Sequence, residues 1–136
     1  MNYCQIIRAD TANGEGFRLS LFVSGCRNHC PGCFQKETWD FNYGEPFTEQ
    51  VQDQLLRELA QPFYEGITIL GGEPFEPENQ KVLLPLLEHI HQHLPQKNVW
   101  IYTGYLFDAD LSLGGKCYLD GITDKILALT DVLVDG

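Results

Sequence analysis

No apolar run in this 136-residue chain approaches the roughly 20 residues a bilayer-spanning helix needs, so a helical membrane anchor within it is excluded. Basic residues are scarce as well: 9 Lys and Arg stand against 19 Asp and Glu, a formal charge of −10. Without a basic patch to release counterions, the chain is not built to grip a nucleic-acid backbone. The acidity reads as a solvated surface, compatible with docking a protein partner. The chain does not read as carrying a signal peptide, it shows no repeat, linker or low-complexity stretch, and the cysteine count of 5 is odd. A disulfide-stapled secreted fold is therefore not expected. What remains is one soluble, cytoplasmic domain over residues 1–136, with 43% hydrophobic residues to supply a core.

The cysteines present are concentrated. Cys26-Arg-Asn-His-Cys30-Pro-Gly-Cys33 packs three thiols into eight residues. Three thiolates can grip one inorganic centre, yet they are one short of the four that close a tetrahedral zinc site or fully ligate a cubane cluster. A missing fourth ligand marks a metal left open for chemistry. Gly25 precedes the run and Pro31-Gly32 interrupts it, so the segment is a loop rather than a helix, with backbone amides available to thiolates and sulfides. Structural zinc normally uses a second cysteine hook, and Cys4 and Cys117 are solitary. The alternative is that one of them folds back as the fourth ligand; otherwise both are buried thiols. His29, inside the loop, is outcompeted by cysteine for a soft site.

Periodicity places this loop in a fold. Phe17, Leu19, Leu21 and Val23 alternate as in a strand, so the cysteines follow its C-terminal end, where α/β proteins place ligands. Thr48 is a candidate N-cap for a helix carrying Val51, Leu55, Leu56 and Leu59, ending near Pro62. Gly66–Leu70 reads as a second strand, running into Gly71-Gly-Glu-Pro74. A helix from about Pro77 presents Leu83, Leu86, Leu87, Ile90 and Leu94, with Pro85 expected to kink or split it. Asn98–Tyr102 and Asp131–Asp135 read as further strands, with a weaker helix around Thr123–Leu129 between them. Such alternation predicts a parallel α/β sheet.

Gly71-Gly72-Glu73-Pro74 is the second chemical signal. Its glycines permit close backbone approach, its carbonyls can accept from a bound ammonium, and Glu73 adds a carboxylate at the same rim. On its own such a turn is ordinary strand–helix punctuation; its value lies in facing the cysteine loop across one sheet edge. His89, His91 and His93 share a helix that offers no further ligands, and read as a solvated face. Arg18 is either a buried ion-pair member or a partner contact.

Taken together, Cys-x3-Cys-x2-Cys after one strand and Gly-Gly-Glu-Pro after the next resemble the radical S-adenosylmethionine (SAM) superfamily. The similarity is greatest to its glycyl-radical activating branch, the anaerobic ribonucleoside-triphosphate reductase activating proteins. Met1-Asn-Tyr3, Asp10, Asn13-Gly14, Gly16, Arg18, Gly25-Cys26, Cys30-Pro-Gly-Cys33, Thr38-Trp39-Asp40, Gly71–Pro74 and Tyr102-Thr-Gly-Tyr105 carry it, over essentially the whole chain. Two departures are visible: Gly32 stands where many superfamily members have an aromatic residue, with Phe34 just after Cys33, and relatives of this branch continue past Gly136.

The resemblance implies a small partial (β/α) barrel of mainly parallel strands with helices outside. It implies a [4Fe-4S] cluster held by Cys26, Cys30 and Cys33, with SAM chelating the open iron. Gly71, Gly72 and Glu73 would line the methionine amino group. Gly32, Cys33 and Phe34 would pass the adenine, and Tyr102, Thr103 and Tyr105 would neighbour the adenosine. In the family, an electron from the cluster cleaves the sulfonium bond, and the deoxyadenosyl radical takes a hydrogen from a glycine of the reductase large subunit. No side chain is needed as a general base, so no catalytic residue is expected beyond cluster and cofactor. A low-potential donor such as flavodoxin is implied. The competing readings are a different small radical SAM enzyme and a non-catalytic electron-transfer module, for which a three-cysteine set is awkward.

Overall fold

The computed structural model describes residues 1–27 and 36–135. Its strands are β1 (Asn2–Asp10), β2 (Arg18–Val23), β3 (Glu45–Pro46), β4 (Gly66–Gly71), β5 (Asn98–Tyr102) and β6 (Val132–Val134), with helices α1 (Glu49–Leu59), α2 (Pro77–His93) and α3 (Thr123–Ala128). Thr48 caps α1 as its position predicts: its Oγ1 accepts from Val51 N at 3.2 Å, satisfying one orphan amide of the first turn.

The expected split of α2 at Pro85 does not occur, and the helix is continuous from Pro77 to His93. Pro85 and Lys81 are both exposed, so the carbonyl that loses its intrahelical donor faces water. On the opposite side Leu83, Leu86, Leu87 and Ile90 are each no more than 1% exposed. Burial of four such side chains, about 1.5–3 kcal/mol apiece, outweighs a proline penalty of about 3 kcal/mol.

The six strands form one mixed sheet in the order β3-β1-β2-β4-β5-β6. β2, β4, β5 and β6 run parallel, whereas β1 is antiparallel to both β2 and β3. The sheet is thus parallel only in its larger part, and β1 is an element the periodicity did not reveal. Its pairing with β2 shifts register between Tyr3 and Gln5 and again between Ile7 and Asp10, and Ala9 has φ +50°. Such bulges destroy the period of two on which strand recognition depends.

Register aligns Leu21, Ile69, Ile101 and Leu133 across the four parallel strands. Together with Leu19, Val23, Ile67 and Val99 they pack in one core with Leu55, Leu56 and Leu59 of α1, the buried leucines of α2, and Ile126 of α3. The alternate positions, Arg18, Ser20, Phe22, Thr68, Leu70, Trp100, Tyr102 and Val134, point to the other face. Residues 11–17 lie over the lower part of that face. Arg18, 0% exposed, donates to Thr68 Oγ1 (2.7 Å), Ile67 O (2.9 Å) and Glu15 O (3.2 Å) and lies 5.1 Å from the Trp100 ring, while Thr68 Oγ1 donates to Asn13 O (2.8 Å). Of the two readings of Arg18 the structure favours the buried one, but without an ion pair: its bonds go to a hydroxyl and backbone carbonyls. The upper half of the face remains open.

Candidate active site

That open half is a cleft of about 550 Å³ at the C-terminal strand ends, lined by Phe22, Leu70, Gly71, Gly72, Tyr102, Thr103, Gly104, Val134 and Asp135, with Asn13 below. Polar and apolar lining in nearly equal measure, at this size, suits a small amphiphilic ligand of the nucleoside class.

Cys26, buried, follows the end of β2 by three residues, one beyond Gly25. Gly25 N donates to Thr38 O (2.7 Å) and Cys26 N to Trp39 O (3.3 Å), so the residues flanking the cysteine segment on either side are tied together. On the other flank Gly72 N donates to Val23 O (2.7 Å) and Glu73 N to Gly25 O (2.8 Å). The two sequence motifs therefore meet backbone to backbone. The glycines are required by this approach: Gly71 sits at φ +109°, and a Cβ on Gly72 would lie 2.7 Å from Gly25 O. Cys30, Gly32, Cys33 and Phe34, and with them His29, lie outside the described residues.

Glu73 is 1% exposed and its carboxylate is consumed within the protein. Oε2 accepts from Phe75 N (2.9 Å) and Thr103 Oγ1 (2.6 Å), and Oε1 from Gly104 N (2.8 Å). Burial raises its pKa, opposed by these hydrogen bonds and reinforced by the nearby Glu76 charge. The carboxylate thus clamps the loop after β4 to the loop after β5. Tyr105 is buried too, and its hydroxyl donates to Glu76 Oε1 at 2.7 Å; burial raises its pKa above the ordinary phenol value. Tyr102 and Thr103, in contrast, line the cleft directly.

Sequence reasoning missed three residues of α2 and its approach. Glu76 and Asn79 are each 1% exposed, and Gln80 is 0% exposed. Asn79 Nδ2 donates to Ser24 O (3.0 Å) and Glu73 O (2.9 Å), and Gln80 Nε2 to Phe75 O (2.7 Å) and Cys117 O (2.8 Å). Three amide or acid side chains within six residues of a Gly-Gly-Glu-Pro turn were the available signal. Cys117 is 3% exposed, and burial first, then nearby carboxylates, push its thiol up to about 11 despite a Tyr105 contact. Cys4 is only half-buried, with its Sγ 3.4 Å from Phe22 O. His89 and His93 lie side by side on exposed α2 surface, ring centroids 4.4 Å apart and planes tilted by 42°. Among the described residues no group of three His, Cys, Asp or Glu could hold a metal ion, and no helix is long and apolar enough to cross a membrane.

The site's donor chemistry fits an iron–sulfur cluster beside an organic ligand: a buried cysteine just past a strand end, next to a glycine bonded both to Thr38 and to the turn that lines a nucleoside-sized cleft. Comparison with known proteins agrees. Residues 12–136 match the family model described as a 4Fe-4S single cluster domain, which makes this an iron–sulfur protein of that class. Anaerobic ribonucleoside-triphosphate reductase-activating proteins are similar along the chain. That of Pasteurella multocida is 41% identical, covering 100% of this chain and 83% of its own. That of Escherichia coli K12 is 39% identical over 100% and 84%, and that of Enterobacteria phage T4 is 36% identical over 91% and 80%. The chain belongs to the family of anaerobic ribonucleoside-triphosphate reductase-activating proteins.

Proposed function

We propose that this chain activates an anaerobic ribonucleoside-triphosphate reductase by creating a glycyl radical on its large subunit, using a [4Fe-4S] cluster and SAM. Cys26, Cys30 and Cys33 hold the cluster; Gly71, Gly72, Tyr102 and Thr103 face SAM in the cleft, with Gly32, Cys33 and Phe34 along the adenine. Bound there, cluster and SAM supply one-electron reductive cleavage of a carbon–sulfur bond, ending in hydrogen abstraction from the partner's glycine. The protein's own part is positional. The loops after β2, β4 and β5 set the cleft walls, Glu73 and Tyr105 act from behind those walls, and the lower face plugged by Arg18 and residues 11–17 keeps water out from beneath. No side chain is required to move a proton.

In this reading the mixed sheet with helices on one face is the partial (β/α) barrel of the radical SAM type, residues 1–136 act as one domain, and the protein works in the cytoplasm with a flavodoxin-like donor. The observation that supports it most is the backbone bond from Glu73 N to Gly25 O, which joins the residue before Cys26 to the turn whose Gly71 and Gly72 line the open cleft at the C-terminal strand ends. The test is anaerobic reconstitution with iron and sulfide, reduction with dithionite, and addition of SAM with the reductase large subunit. The expected products are 5′-deoxyadenosine and the electron paramagnetic resonance doublet of a glycyl radical. A reconstituted protein that yields neither sinks the proposal.

A further inference from the structure

Glu76 occupies the N-cap position of α2, yet makes no side-chain cap bond to its own helix. Glutamate is a poor N-cap, and a carboxylate buried to 1% exposure is costly unless its bonds are made elsewhere. They are made across the site. Oε2 accepts from the backbone N–H of Arg27 at 2.8 Å, and Oε1 from the Tyr105 hydroxyl at 2.7 Å. The Arg27 guanidinium approaches Oε2 at 3.3 Å, pairs with Glu78, and lies 4.5 Å from the Phe41 ring. One turn further on, Asn79 Nδ2 holds Ser24 O at 3.0 Å. The first turn of α2 therefore grips the backbone on both sides of Cys26, at residue 24 and at residue 27, and Tyr105 braces the gripping carboxylate from behind.

We infer that Glu76 is a positioning residue for the iron–sulfur cluster: by accepting the Arg27 amide it fixes the peptide leaving Cys26, so that this thiolate is preset before iron arrives. The inference rests on the functional reading above, in which Cys26 is a cluster ligand. Presetting a ligand lowers the ordering cost of binding and slows its release. The relevant bond is to the amide, since the guanidinium side chain is 54% exposed and its ion pairs are screened.

The test is the rate at which the anaerobically reconstituted protein gives up iron to excess chelator, alongside the thermal midpoint of the iron-free chain. Loss of a hydrogen bond to a buried charge predicts iron release at least about tenfold faster in Glu76→Ala. Glu76→Gln, whose carbonyl still accepts the amide and whose NH2 can donate to Tyr105, stays within about threefold of wild type. Arg27→Ala, which keeps the amide, changes the rate less than about twofold on the surface ion-pair scale. Wild-type release rates in Glu76→Ala overturn the inference. So does an equal acceleration in Glu76→Gln and Glu76→Ala that tracks their iron-free midpoints, because that is general destabilisation. Should Glu76→Ala not fold, Tyr105→Phe takes its place, and at least about threefold faster release at an unchanged iron-free midpoint is required of it. A wild-type chain that takes up no cluster overturns the functional reading and this inference with it, whereas cluster uptake with indifferent variants overturns the inference alone.

Discussion

Replacing Glu73 by Gln tests the clamp across the cleft most sharply, because the shape is kept and only the acceptor count changes. The carboxylate receives three donors, Phe75 N, Thr103 Oγ1 and Gly104 N, at 2.6 to 2.9 Å in a site 1% exposed. A glutamine offers one acceptor oxygen where two stood. With that oxygen turned to Phe75 and Thr103, its NH2 faces the Gly104 N–H, donor against donor. Gly104 N–H, on an exposed residue, then has only water to turn to, at about 1 kcal/mol, and two bonds fall from charge-assisted to neutral strength. Partly offsetting this, burial raises the pKa of Glu73, so removing its charge relieves desolvation. The net expectation is about 2 kcal/mol for Glu73→Gln and about 3–5 kcal/mol for Glu73→Ala, which strands all three donors and leaves a void. Urea denaturation of the reduced chain measures both. A double-mutant cycle with Thr103→Val should return a coupling of about 1 kcal/mol or more. A Glu73→Gln protein within about 0.5 kcal/mol of wild type, with Thr103→Val simply additive, would refute the clamp.

Two further outcomes follow from the same geometry. Asp10, 8% exposed, accepts from Ala12 N (2.9 Å), Ser20 Oγ (2.7 Å) and Asn13 Nδ2 (2.6 Å). Burial alone would push its pKa up, but these bonds outweigh it and hold the carboxyl below the ordinary range. The unfolded chain therefore takes up this proton first on acidification. The contribution is present above the unfolded value of about 4 and is lost as pH falls through the depressed folded value. Asp10→Asn should flatten the acid limb of a stability–pH curve, and an unchanged slope counts against this account. Gly72→Ala places a methyl 2.7 Å from Gly25 O and 3.0 Å from Thr38 O, both backbone. Forcing the two rims apart should cost about 1–3 kcal/mol by denaturation and lower the iron bound per chain on reconstitution; full iron content at wild-type stability would show that the rims have room.

Much of the architecture was legible because it rests on local chemistry. The Thr48 cap, the β-branched run at Gly66–Leu70 and the leucines of α2 each state their structure within one turn or strand. Asn98–Tyr102 was readable to the residue for the same reason. β1 was not legible, because its two register shifts are imposed by pairing with β2 and leave no regular alternation in Asn2–Asp10. The continuity of α2 through Pro85 was equally hidden, since it depends on which side of the helix meets water.

The site divides in the same way. Cysteine spacing and the Gly-Gly-Glu-Pro turn declare their chemistry by themselves, since a ligand count and a glycine's conformational freedom are properties of residue type and order. Which carboxylate does what is a different matter. Glu73 looked like a wall of the pocket and is a buried brace, while Glu76, with no motif of its own, reaches the amide beside Cys26. Residues 27, 73, 76, 103 and 105 come together only when β2, β4 and β5 lie side by side, and burial then decides how each carboxylate is used. The sequence by itself put three cysteines into eight residues and a glycine-rich turn after a strand, because residue type and order suffice for that; only the tertiary structure, by burying some carboxylates and not others, decided which side chains hold the rim in place.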